Sequence, residues 1–87
     1  FDAFDASVGI DIAKAKFDVT VLDMSNNPQH RTFTNDIEGF TAFTNWLALD
    51  LFVFDPHFCM EATGRYGEAL AHFLYDQFRS VSVVNPS

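Results

Sequence analysis

Residues Val8 to Asp23 read VGIDIAKAKFDVTVLD, and the fold is decided by how this stretch is read. Ser7 to Asp11 (SVGID) is short and apolar and runs into a polar turn, which suits a buried strand. Lys16 to Asp23 alternates, with Phe17, Val19 and Val21 pointing one way and Asp18 and Thr20 the other. That is a period of two, a strand with one wetter face. A turn at Ser25-Asn26-Asn27-Pro28 leads to a third strand around His30 to Thr34. Three strands with short connections form an antiparallel meander.

Beyond the meander the period changes. Asn35 is placed as a helix N-cap, with Glu38 three residues on to complete a capping box. The helix carries Phe40, Phe43 and Leu47 on one stripe, with Trp46 beside it, and ends near Leu49. Asp50 to Pro56 gives no clear pattern; Leu51 to Phe54 is apolar enough for an extra strand but too short to assign. Phe58 to Glu61 (FCME) reads as a buried strand ending in a carboxylate, and Thr63-Gly64 opens the next turn. From Tyr66 to Phe78, Ala69, Leu70, Phe73, Leu74 and Phe78 follow helical spacing. Val81 to Val84 is a last strand, closed by Asn85-Pro86.

The order is three strands, helix, strand, helix, strand. The second half calls for parallel strands joined by right-handed crossovers. Added to the meander, it gives an α/β fold: a mixed five-stranded sheet, three antiparallel strands plus two parallel ones, with packed helices. This is the ribonuclease H-like arrangement, here in truncated form. The segments follow one another too tightly for two domains, and the chain holds no internal repeat or low-complexity tract.

Composition narrows the function. The 48% hydrophobic content and eleven Phe supply a real core and exclude a disordered tail. A formal net charge of −7 repels phosphate backbones, so composition argues against strong nucleic-acid binding by these residues, while a cation-binding acidic centre fits it. No apolar run approaches the ~20 residues that span a bilayer, and no signal peptide opens the chain, so a cytoplasmic protein without membrane association is expected. Cys59, the only cysteine, cannot form an internal disulfide; between Phe58 and Met60 it reads as buried filler rather than a nucleophile.

Two acids end apolar strands, Asp11 and Glu61. If the first and fourth strands are neighbours, the two carboxylates sit side by side at one end of the sheet. Unpaired carboxylates that close repel, and keeping both ionised requires a cation. Hard oxygen ligands suit Mg²⁺ or Mn²⁺, and such a pair can begin a two-metal site for phosphodiester chemistry. Taken singly, each acid reads as a cap or a solvated turn residue; only the topology makes the pair informative. Asp18 lies on the wetter face and reads as solvated. His30, His57 and His72 fall in different elements without metal-ligand spacing, Lys14 and Lys16 read as exposed, and Gly64 and Gly67 lack the spacing of a nucleotide-binding loop.

Four blocks carry a family resemblance: VGIDIAKAKFDVTVLD (Val8 to Asp23), FTNDIEGFTAFTNWL (Phe33 to Leu47), MEATGRYGEALAHFL (Met60 to Leu74) and VSVVNPS (Val81 to Ser87). Together they resemble the DEDD-type insertion-sequence transposases, the group that includes the Piv-like DNA invertases. The resemblance implies the front part of a RuvC-like nuclease domain with an Asp-Glu-Asp-Asp tetrad, its first Asp at Asp11 and its Glu at Glu61. The remaining two Asp, and a C-terminal domain with a strand-exchange serine, are expected beyond residue 87. It implies a transposase or DNA recombinase that is inactive as this fragment, Mg²⁺ or Mn²⁺ held only weakly by half a tetrad, DNA as substrate, and a structured guide RNA with the full-length protein. A bacterial, nucleoid-associated location follows. Phe-rich helices and an open sheet edge add an expected homo-oligomer.

Two other readings start from the same residues. Sugar kinases and actin-like ATPases also begin with a strand, GID and a second strand, although Ile12 to Ala15 is not the Gly- and Thr-rich turn they use. In the second, the chain is a non-catalytic assembly module whose acids are solvated turn residues.

Overall fold

The computed structural model describes residues 4–23, 27–62 and 65–84. The elements run β1 (Ala6–Ile12), β2 (Lys16–Asp23), β3 (Pro28–Thr34), α1 (Ile37–Asn45), β4 (His57–Ala62), α2 (Glu68–Tyr75) and β5 (Val81–Val84). They form one five-stranded sheet in the order β3-β2-β1-β4-β5. The first three strands are an antiparallel meander, and β4 and β5 join it parallel to β1. The mixed sheet read from the sequence is the one observed. The expected turns at 25–28, 63–64 and 85–86 fall wholly or partly outside the described residues.

Strict alternation builds the core. On β1, Ala6, Val8, Ile10 and Ile12 are buried while Ser7, Gly9 and Asp11 are exposed. On β2, Phe17, Val19 and Val21 are buried and Lys16, Asp18 and Thr20 are exposed. Both helices cover the same face, with Phe40, Phe43, Leu47, Leu70 and Leu74 packed into one cluster with the strand residues. Aromatic rings knit it together: Phe43 lies edge-on to Phe17 at 5.4 Å and to Phe58 at 5.9 Å between centroids, geometries that suit the ring quadrupoles. The opposite face of the central strands is bare. The expected fully buried strands at SVGID and FCME are therefore covered on one side only, and Cys59, expected as buried filler, is exposed because Phe58 and Met60 take the inward positions.

The start of α1 also differs from expectation. Its N-cap is Asp36, whose carboxylate accepts the Gly39 N–H at 2.8 Å and the Thr34 hydroxyl at 2.8 Å. Either Asn or Asp can cap a helix; here Asp36 does so, and no capping box forms through Glu38. After Asn45 the helix widens into a π-helical turn, Trp46–Asp50, closed by the Leu51 N–H on the Trp46 carbonyl at 3.1 Å. Phe52 then takes φ 55°, the left-handed region, so Leu51 to Phe54 is a turn and not a strand. Asp5 accepts the N–H groups of Phe54 and Asp55, each at 2.8 Å, and fastens this segment to the start of β1. The second helix is shorter than its periodicity suggests, and Ala71 is buried while Ala69 is exposed.

Candidate functional site

β1 and β4 are adjacent and parallel, and their register pairs Asp11 with Glu61. Neighbouring strands lie about 4.8 Å apart, so the two backbones are as close as a sheet allows. Each acid follows an inward-facing residue, Ile10 or Met60, so alternation sends both side chains to the uncovered face. Both are exposed, and among the described residues neither carboxylate has a hydrogen-bond or ion-pair partner. Among the described residues, Arg31 pairs with Asp50 and Arg79 with Asp55, away from both acids.

A third carboxylate extends the row. Asp18 on β2 is the antiparallel register partner of Asp11, and its Oδ1 accepts the Thr32 hydroxyl at 2.6 Å. Gly9, Asp11, Asp18, Thr20, Cys59 and Glu61 line one shallow open groove. Asp18 is exposed, as the alternation of β2 indicates, yet it stands in line with the other two acids. The turn from Ile12 to Phe17 fixes this register, a signal that reading each strand separately misses. The acids are not gathered tightly: among the described residues no three His, Cys, Asp or Glu side chains form a group that could hold a metal ion. Asp11 and Glu61 thus offer hard oxygen donors that fit a divalent cation chemically, as an incomplete set.

The other candidates separate. His30 contacts the Thr20 hydroxyl, His57 the Ser80 hydroxyl, and His72 lies against Tyr75, so the histidines share no site. Lys14 and Lys16 are exposed. Gly67 is the N-cap residue of α2, and Gly64 lies outside the described residues.

Asn35 has a place that its local sequence does not reveal. Its side-chain amide donates to the carbonyls of Ala13 at 3.0 Å, Lys14 at 3.3 Å and Tyr66 at 3.0 Å. It therefore joins the turn after β1 to the turn before α2.

The sequence model of the DEDD transposases of the IS110 group, described as a transposase, matches residues 8–87. The chain belongs to this transposase family. The IS110-type chain is 41% identical over 80 residues to the pilin gene-inverting proteins of Moraxella lacunata and Moraxella bovis, which covers 91% of this chain and 24% of each relative. It spans about a quarter of the length of these curated relatives. The resemblance to DEDD transposases and DNA invertases is borne out, and the sugar-kinase reading finds no support in it.

Among solved structures, the IS110-type chain is similar to Archaeoglobus fulgidus Pelota, with a TM-score of 0.64 at 18% identity over 98% of this chain and 27% of that one. It is also similar to the Aquifex aeolicus PPX-GPPA enzyme, with a TM-score of 0.52 at 14% identity over 97% of this chain and 37% of that one. At such identities the likeness concerns the fold alone. No helix among the described residues of the IS110-type chain is long and apolar enough to cross a membrane.

Proposed function

We propose that this chain is the front part of a RuvC-like nuclease domain, and that Asp11 and Glu61 are the first two acids of its DEDD centre. In this reading the intact protein is a cytoplasmic recombinase that cleaves and joins DNA strands by metal-dependent phosphodiester chemistry. One observation carries it: Asp11 and Glu61, from distant parts of the sequence, are register partners on an open face with unpartnered carboxylates.

The roles follow from the geometry. Asp11 and Glu61 would hold Mg²⁺ or Mn²⁺ from one side, their backbones fixed by the β1–β4 ladder. Divalent cations held there would supply Lewis acidity, one for the attacking oxygen and the other for the leaving oxygen of a phosphodiester. Two acids leave most coordination positions open, so affinity from these residues alone is weak, and two further acids complete the set. Asp18 is tied to Thr32 and adds negative potential to the groove. With a net charge of −7, this chain contributes acids and scaffold, and the positive charge that meets DNA phosphates comes from other regions of the protein. A guide RNA, which the family resemblance implies, and a second copy of the protein, which the Phe-rich helices and open sheet edge invite, are the further components of this reading.

The test is Asp11→Asn and Glu61→Gln in the intact protein, with recombination and folding both measured. Loss of recombination with folding retained is expected. Recombination at the unaltered rate in both variants would overturn the assignment and favour a non-catalytic module.

A further inference from the structure

The ladder that pairs Asp11 with Glu61 ends one residue later, at Ile12 and Ala62. Both carboxylates therefore stand at the end of two strands, where pairing opens most readily unless something fastens it. Ala13 to Ala15 lie on the exit from β1 into β2, and Tyr66 lies in the turn on the exit from β4 into α2.

Asn35 spans the two exits. Its backbone N–H donates to the Ala15 carbonyl at 3.0 Å, while its side chain reaches Ala13, Lys14 and Tyr66. A primary amide has two hydrogens, so the closer contacts to Ala13 and Tyr66 take one each and Lys14 shares. Three converging carbonyls can be met only by the nitrogen end of the amide, which also settles its orientation. With Asp36 already capping α1, the Asn35 side chain has no helix-capping duty.

We infer that Asn35 is a positioning residue for the Asp11–Glu61 pair, one that ties the turn after β1 to the turn before α2 and so steadies the carboxylate spacing that a divalent cation meets. This rests on the proposed role of the two acids. Asn35 itself touches neither carboxylate and acts through the backbone. Groups that orient metal ligands without binding the metal change metal affinity by about tenfold or more when removed.

The test measures Mn²⁺ binding to the intact protein by electron paramagnetic resonance, beside the thermal midpoint in chelator. Asn35→Asp keeps the shape of the side chain but aims oxygens at three carbonyls; Asn35→Ala removes the clamp and leaves the backbone bond to Ala15. Both are expected to raise the Mn²⁺ dissociation constant about tenfold with a midpoint within a few degrees of the parent. The Mn²⁺ concentration for half-maximal DNA cleavage should rise in step, while the rate at saturating Mn²⁺ recovers. Unchanged Mn²⁺ affinity in both Asn35 variants, when Asp11→Asn abolishes binding, would overturn the clamp and leave the acids in place. Loss of fold in both variants would also overturn it, because the role would then be structural. If Asp11→Asn and Glu61→Gln bind Mn²⁺ like the parent, the reading of the acids fails first.

Discussion

The carbonyl oxygen of Thr34 occupies the position that a β-carbon on Gly39 would need, only 1.8 Å from it. The Asp36 cap draws the first turn of α1 tightly onto the end of β3, and the neighbour in the way is rigid backbone. Gly39→Ala must therefore push the helix off the strand. A destabilisation of about 3 kcal/mol is expected, to be measured by urea denaturation; a change below a few tenths would show that the joint gives.

Two carboxyl groups link stability to acid. Asp5 is held below its ordinary value of 3.8 by the N–H groups of Phe54 and Asp55, and Asp36 by the Gly39 N–H and then the Thr34 hydroxyl. The native state therefore binds fewer protons than the unfolded chain in the acid range. The stabilisation is complete above the unfolded pKa and disappears as pH falls through the lowered native values. Asp36→Asn keeps a capping oxygen but cannot titrate, so its thermal midpoint should lie below the parent at pH 7 and approach it towards pH 2.

The left-handed backbone at Phe52 is unfavourable for a residue with a β-carbon, and its side chain is 73% exposed. Glycine adopts φ 55° without that penalty. Phe52→Gly should raise stability by about 1 kcal/mol. A loss of stability in chemical denaturation would mean that the exposed ring makes a contact worth more than the strain.

Asp18, Asp11 and Glu61 stand in register across three strands, and like charges side by side on a sheet destabilise it. In chelator at low salt, Asp11→Asn should raise the thermal midpoint by a few degrees, and added salt should shrink the gain by screening. Addition of Mn²⁺ should stabilise the parent and leave Asp11→Asn unmoved. A variant that melts below the parent in chelator would contradict this.

Much of this was legible beforehand, for identifiable reasons. Alternation in Lys16 to Asp23 and the acids closing SVGID and FCME report on local geometry, so the sheet and the Asp11–Glu61 pair could be read. The exposure of Cys59 follows from the same alternation: with Phe58 and Met60 inward, period two sends the residue between them outward. Asn35 and Asp36 have nearly the same capping chemistry, and what divides their tasks is the placement of Ala13, Lys14 and Tyr66, which no local window contains. The π-helical turn depends likewise on long-period hydrogen bonding, such as that from the Leu51 N–H to the Trp46 carbonyl. Leu51 to Phe54 shows no usable period because all four residues are apolar, so hydropathy does not reveal that Val53 is buried while Phe52 and Phe54 are exposed.

The pairing of β1 with β4 joins residues whose numbers differ by fifty, whereas β1, β2 and β3 meet through short reversals. Closing a long loop costs more chain entropy than closing a short one, and distant contacts form late. The meander can therefore form from residues up to Thr34 alone, whereas the register partner of Asp11 arrives only after the α1 segment has been added to the chain. The centre proposed at Asp11 and Glu61 is thus absent from the meander and comes into being only when β4 docks beside β1.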